Sequence, residues 1–326
     1  MTNLARSQPQ TSGPKVVAIG GGHGLAATLR ALRRVTDDVT AVVGVSDNGG
    51  SSGRLRDEFN VVPPGDLRMA LAALCGDDSW GRTWSRVVQH RFSGDGELSG
   101  HSIGNLLITA LWEETGDIVT GLDWVGALLG AHGRVLPVAT VPLHVVADVQ
   151  GLDSADPARV MRVEGQVEIA TTEGNVVGLR IEPADAVACS AAVDAIGDAD
   201  VIVLGPGSWF TSVIAPLMVT GIGDAVVRSS AKLVVVLNLA PQPGETAGFS
   251  PQRHLEVLAA QLPGIRVDTV IADPTRVADV MSLEASAARL GARVVLAPVA
   301  ARDQTPNHDV DLLASALGGV FVREGR

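Results

Sequence analysis

Apolar and polar positions follow two textures along this chain. The largely apolar runs 15–19 and 39–45 have strand length, and between them Leu25, Leu29 and Leu32 recur at helical spacing over 25–34. A strand, a helix and a strand in that order read as a βαβ unit, which sets its strands parallel with a right-handed crossover. A polar stretch over 46–64, closed by Pro63 and Pro64, reads as a long loop. Helices are predicted at 65–75, 79–92, 104–115 and 117–132, with Asp66 where a negative charge suits a first turn. Trp80, Trp84, Trp112 and Trp124 fall in this block and read as packing anchors.

Between 135 and 182 the period shortens. Segments 135–140, 143–149, 158–170 and 175–181 alternate apolar and polar residues between Gly, Asp and Asn turns, which predicts strands. From Ala186 the helix–strand rhythm returns, with strands at 201–204, 232–237, 267–271 and 293–296. Helices are predicted near 188–196, 211–230, 250–261, 275–290 and 308–317. The fold class expected is α/β: a doubly wound, mostly parallel Rossmann-like sheet with a helical cluster (about 65–132) and a β-rich insertion (about 135–182). No internal repeat or linker composition divides the chain, so 15–326 is expected to form a single domain behind a disordered tail over 1–14.

Composition narrows the function. Apolar content of 46% with 19% charged residues is globular. The net charge of −11 and the lack of a long basic run argue against nucleic acid as a partner. Cys75 and Cys189, the two cysteines, lie in apolar contexts and read as buried free thiols of a reducing cytoplasm. No uncharged apolar run reaches membrane-spanning length, and the tail lacks the apolar core of a signal peptide.

The candidate chemistry sits in loops that follow strands or open helices. Gly20, Gly21, Gly22, His23 and Gly24 join the first strand to the first helix, where small residues let a ligand approach the backbone. The strict dinucleotide fingerprint fails, since its third glycine falls at Leu25 or Ala27, and an NAD(P)-binding oxidoreductase is correspondingly disfavoured. The stretch 46–56 combines Asp47, Asn48, Gly49, Ser51, Ser52, Arg54 and Arg56, the amides, hydroxyls and guanidiniums that a phosphate-bearing ligand needs. Asp47 is the single candidate for a metal contact, and a dedicated metal cage is not expected. His101 and Asn105 belong to a glycine-flanked helix start. Gly205, Gly207, Ser208, Thr211 and Ser212 repeat the strand–glycine–helix junction, and Asn238 follows another strand as a reader of base or sugar. These observations reach the binding of a nucleotide or phosphosugar and name no reaction.

Six motifs in order carry a family resemblance: GGGHG (20–24), SDNGGSSGRLR (46–56), PPGDLR (63–68), GHSIGN (100–105), GPGSWFTS (205–212) and NLAPQPGET (238–246). Together they resemble the YvcK family of gluconeogenesis factors, also called CuvA, which is similar in fold to the CofD 2-phospho-L-lactate transferases. The resemblance implies a cytoplasmic protein that binds UDP-sugars such as UDP-N-acetylglucosamine. It also implies a link to cell shape and peptidoglycan supply during gluconeogenic growth, with Ser/Thr kinases among possible partners. A homodimer is expected of a large α/β protein with no membrane or nucleic-acid surface. The transferase relatives use a nucleotide-diphosphate-linked substrate and Mg²⁺, and carry two adjacent acidic residues where this chain has Asp47-Asn48. With one carboxylate fewer, the resemblance implies binding ahead of metal-assisted transfer, in which Asp47 and His101 are the weak catalytic candidates.

Overall fold

The computed structural model describes residues 13–242, 244–303 and 305–323. Residues 1–12 of the expected tail lie outside the described residues; at its end, the Pro14 carbonyl accepts a hydrogen bond from Thr36 Oγ1 (2.7 Å).

The opening βαβ unit is present as β1 (Val16–Gly20), α1 (Gly22–Leu32) and β2 (Val39–Val43), with β1 and β2 parallel and Val16 opposite Val39. The polar stretch holds α2 (Gly50–Phe59). The helical cluster follows as α3 (Gly65–Leu74), α4 (Ser79–Gln89), α5 (Ile103–Thr115) and α6 (Ile118–Leu129). Next come β3 (Arg134–Pro137), β4 (His144–Gln150), β5 (Val160–Glu164), α7 (Gln166–Ala170) and β6 (Asn175–Glu182). The returning α/β part comprises α8 (Ser190–Gly197), β7 (Val201–Leu204), a π-helical turn (Trp209–Ile214), α9 (Ala215–Leu217), α10 (Thr220–Arg228) and β8 (Lys232–Val236). It closes with α11 (Pro251–Gln261), β9 (Thr269–Ala272), α12 (Val280–Arg289), β10 (Arg293–Leu296) and α13 (Val310–Arg323).

Seven strands form one parallel sheet in the order β10-β9-β8-β7-β1-β2-β3. The chain builds outward from β1 to β2 and β3, then returns to the other side of β1 as β7 and continues to β10. The strand order therefore reverses between β1 and β7, and an open α/β sheet has its crevice at the carboxyl ends of the strands beside such a reversal. Every residue of β1 and β7 is buried, as expected where helices cover both faces. The remaining strands form a separate antiparallel sheet, β5-β4-β6. The expected α/β class, parallel sheet, helical cluster and β-rich insertion are all observed, with β3 recruited to the main sheet beside β2.

Four local expectations are corrected. The loop predicted over 46–64 contains α2, whose inward face is Ser51, Ser52, Gly53, Leu55 and Arg56. A helix buried through hydroxyls and a guanidinium leaves no apolar period to read. The strand predicted over 158–170 is cut at Gly165 (φ +102°) into β5 and α7. The helix predicted over 211–230 is broken, with a 78° bend between its two halves. Of the four tryptophans, Trp112 is buried, whereas Trp80 and Trp124 are 53% and 64% exposed and anchor no core. Cys75 and Cys189 are free and buried, as expected. Among the described residues no single helix is long and apolar enough to cross a membrane.

Candidate functional site

The two glycine junctions on either side of the strand reversal touch. A Cβ placed on Gly24 at the start of α1 would lie 2.1 Å from the Pro206 carbonyl oxygen and 2.8 Å from Gly207 Cα. Thr28 Oγ1, one turn further along α1, donates to the Gly205 carbonyl (2.9 Å). Glycine at 24 is thus required by backbone-to-backbone contact, a closer approach than any side chain permits.

Two carboxylates enter this crevice. Asp47, just past the end of β2, accepts from the Gly49 N–H (2.9 Å), and its Oδ2 would lie 2.8 Å from a Cβ on Gly65. Asp66, in the first turn of α3, stands 2.5 Å from where a Cβ on Gly21 would be. Removal from solvent, added to the repulsion of Asp47, raises the Asp66 pKa to about 7, although the Gly22 N–H and Arg68 favour its anion. A buried carboxyl held protonated beside a second carboxylate accepts a divalent cation readily, because the cation takes the place of the proton and neutralises both charges. Mg²⁺ typically takes one or two carboxylates and completes its shell with phosphate oxygens and water. Asp47 and Asp66 fit that requirement; no cluster of three or more metal-ligating side chains occurs among the described residues.

Behind Asp47 lies a buried polar relay. Arg68 can only donate, so its Nε bond to Asn105 Oδ1 (2.9 Å) orients the Asn105 amide. Asn105 Nδ2 then donates to Ser51 Oγ (3.0 Å), and Ser51 Oγ shares a further hydrogen bond with His101 Nδ1 (3.0 Å). Burial, reinforced by Arg54, lowers the His101 pKa, which keeps the imidazole neutral and able to accept. Arg68 is also buried, and its pKa is lowered to about 10 by desolvation and by Arg91, so it stays charged at neutral pH. Asn105→Ala is expected to cost about 2–4 kcal/mol in urea unfolding, since it strands a buried guanidinium and a buried hydroxyl. A loss under 1 kcal/mol would show that water replaces the amide.

The second helix start on the crevice is already filled. Glu245, 3% exposed, accepts from the Phe210 N–H (2.9 Å) and from Thr211 Oγ1, and burial raises its pKa. The amide position expected for a ligand phosphate thus holds an internal carboxylate. Asn238 is similarly committed, pairing both ways with the backbone of Gly207 (2.9 and 2.8 Å). Gln242 reaches Ser208 Oγ (3.3 Å) and the Trp209 N–H (3.2 Å). The 238–246 loop therefore braces the β7 junction.

The other expected ligand residues are dispersed. Asn48, just before α2, ties that segment to α7, donating to Glu168 (2.8 Å) and accepting from the Val167 N–H (3.1 Å). Arg54 is exposed and gives its donors to the carbonyls of Glu97 and Ser99. Arg56 is buried, donates to the Leu143 carbonyl (2.9 Å), and leaves Nη2 without a partner. Ser212 lines the crevice beside Gly21 and Gly207, and Ser52 packs against Gly65.

A cleft of about 500 Å³ adjoins the junction, walled by His23, Arg30, Gly207, Asn238, Gln242 and His308 among others. Burial lowers the His308 pKa to about 4, and its Nε2 is enclosed without a hydrogen-bond partner. Sequence reasoning assigns Asp66 only to its helix dipole and misses Gln242, Glu245 and His308, whereas Arg68 reads beside Arg54 and Arg56 as a basic spot for a phosphorylated ligand. Asp66, Gln242 and Glu245 lie in motifs already quoted. His308 had no signal at all.

Residues 16–302 match the family described as 2-phospho-L-lactate transferase CofD. The chain belongs to the CofD family. Within that family, this CofD-family protein is 54% identical to the "Putative gluconeogenesis factor" of Mycobacterium tuberculosis H37Rv, over 95% of this chain and 91% of that protein. It is 35% identical to the "Gluconeogenesis factor" of Bacillus subtilis, over 82% and 80% of the two chains. A crystal structure of a UPF0052 family member from Bacillus halodurans superposes with a TM-score of 0.83 at 31% identity, covering 94% of this chain and 99% of that one.

Proposed function

We propose that this CofD-family protein binds a UDP-sugar of the UDP-N-acetylglucosamine type in the crevice between β1 and β7, with Asp47 and Asp66 sharing a divalent cation that carries the diphosphate. The observation that supports this most is the Asp47–Asp66 pair at the meeting point of the two glycine junctions. Two carboxylates repel a bare diphosphate, so binding is expected to require the cation, whose chemistry there is neutralisation of phosphate charge. The neighbouring cleft is large enough for a nucleoside, and His23, Asn238 and Gln242 place polar side chains on its wall. With relatives named as gluconeogenesis factors, the reading extends to a cytoplasmic regulator of cell shape and peptidoglycan supply, responsive to Ser/Thr kinases.

Calorimetry decides it: UDP-N-acetylglucosamine is expected to bind with Mg²⁺ and to lose at least tenfold in affinity with EDTA. Absence of binding by every UDP-sugar tried, with Mg²⁺ present, overturns the reading.

A second reading is transfer of a nucleotide-linked phospho-group to an acceptor hydroxyl. One observation favours it: Asp66 supplies from α3 the second carboxylate that Asn48 lacks. Product formation from nucleotide-linked phospholactate and a deazaflavin acceptor under Mg²⁺ tests it.

A further inference from the structure

A basic groove lies beyond the C-terminal half of α1. Arg30 of α1, Arg33 and Arg34 just past its end, and Arg82 and Arg86 of α4 all line one depression of about 320 Å³. Positions 82 and 86 share one face of α4. Like charges at that spacing destabilise a helix, and here they line one depression with three further guanidiniums. The helix dipole accounts for one cation in the last turn of each helix, Arg30 and Arg86, and leaves the others unexplained.

The acceptors available do not match the donors. Asp77 is the one carboxylate lining the groove; it meets Arg33 Nη2 at 3.4 Å, and its carbonyl accepts from Arg82. Arg34 pairs with Asp311. Arg30 and Arg86 make no hydrogen bond or ion pair among the described residues, and Arg33 Nε is buried without a partner. Five guanidiniums are thus gathered on a chain whose net charge is −11.

We propose that this groove is a second ligand site, taking a small molecule with two or more phosphate groups. Arginine forks match phosphate oxygens in pairs, and this depression gathers guanidiniums from α4 and from the end of α1. The groove has the volume of a small-molecule site, and the negative charge of the whole chain opposes an extended polyanion. Arg30 and Val310 also line the His23–His308 cleft, so an occupant here abuts the crevice ligand's surroundings.

Pyrophosphate titrated into the full chain at low salt with EDTA tests the proposal, because the crevice is expected to need a cation and the groove is not. The expected result is saturable one-to-one binding that weakens at least tenfold in Arg86→Ala, further in the Arg82→Ala/Arg86→Ala double variant, and steeply with added salt. Arg86→Lys is expected to recover part of the affinity. Asp66→Asn, which disables the crevice, is expected to leave this titration as in the wild type, so the two sites fail separately. No saturable binding, equal affinity in Arg86→Ala, or loss in Asp66→Asn with Arg86→Ala unaffected would overturn the proposal.

Discussion

Asp66→Asn is expected to abolish cation-dependent nucleotide-sugar binding while making the ligand-free protein more stable at pH 8. The folded pKa of Asp66 is raised to about 7, above the unfolded carboxylate value of about 3.9. Its contribution to stability is therefore fully present below about pH 4 and is lost as pH rises through about 7. By pH 8 the wild type has lost up to about 4 kcal/mol that the neutral amide retains. Asparagine keeps an oxygen to accept from the Gly22 N–H, so the local geometry survives. Ligand binding moves the opposite way. The cation must displace the Asp66 proton, so wild-type affinity for Mg²⁺ and UDP-sugar is expected to rise between pH 6 and 8 and to be lost by about 10²-fold or more in the variant, of the order of a removed charged contact. Urea unfolding at pH 5 and pH 8 with EDTA, together with calorimetry at both, gives the answer. A variant no more stable than the wild type at pH 8 would mean that burial and Asp47 do not hold the Asp66 carboxyl protonated in the folded state.

Gly24→Ala is expected to cost more than about 3 kcal/mol, a core-overpacking penalty at the upper end of what point substitutions produce. The added methyl meets backbone, the Pro206 carbonyl at 2.1 Å and Gly207 Cα at 2.8 Å, and backbone cannot rotate aside as a side chain can. Relief requires the β1 and β7 junctions to part, which also opens the crevice. Gly22→Ala is the control: Gly22 has φ +62° and open space around its missing Cβ, so its cost is only left-handed strain, about 1–2 kcal/mol. Denaturant midpoints of the two variants rank them. Equal losses would show that the two junctions do not touch.

Much of this crevice was legible beforehand because it depends on local covalent order. A strand, then glycines, then a helix is a short-range pattern, and the junctions at 20–24 and 205–212 were marked from it. That two such junctions in one parallel sheet can share a crevice is also legible in sequence, whereas their meeting rests on β7 lying beside β1, which the sheet topology decides. The roles of individual polar residues were less legible. Asn238 and Thr211 have the chemistry of ligand readers, yet Gly207 and Glu245 already occupy them. A hydrogen-bonding side chain gives no indication in sequence of whether its partner will be a ligand or another loop. Arg54 and Arg56, two residues apart, point to different surroundings on α2, one exposed and one buried.

By itself, then, the sequence determined the α/β class, the order of the buried strands and the glycine junctions between strand and helix. Hydrophobic period and glycine placement act over a few residues, and no distant contact is needed to read them. Tertiary structure alone decided that α2 is a helix, because its inward face is held by polar contacts from α5 and from residues near β4. It also decided that Asp66, nineteen positions from Asp47, completes a carboxylate pair. The burial and the repulsion that raise the Asp66 pKa depend on what surrounds it in space, and sequence distance carries no information about either.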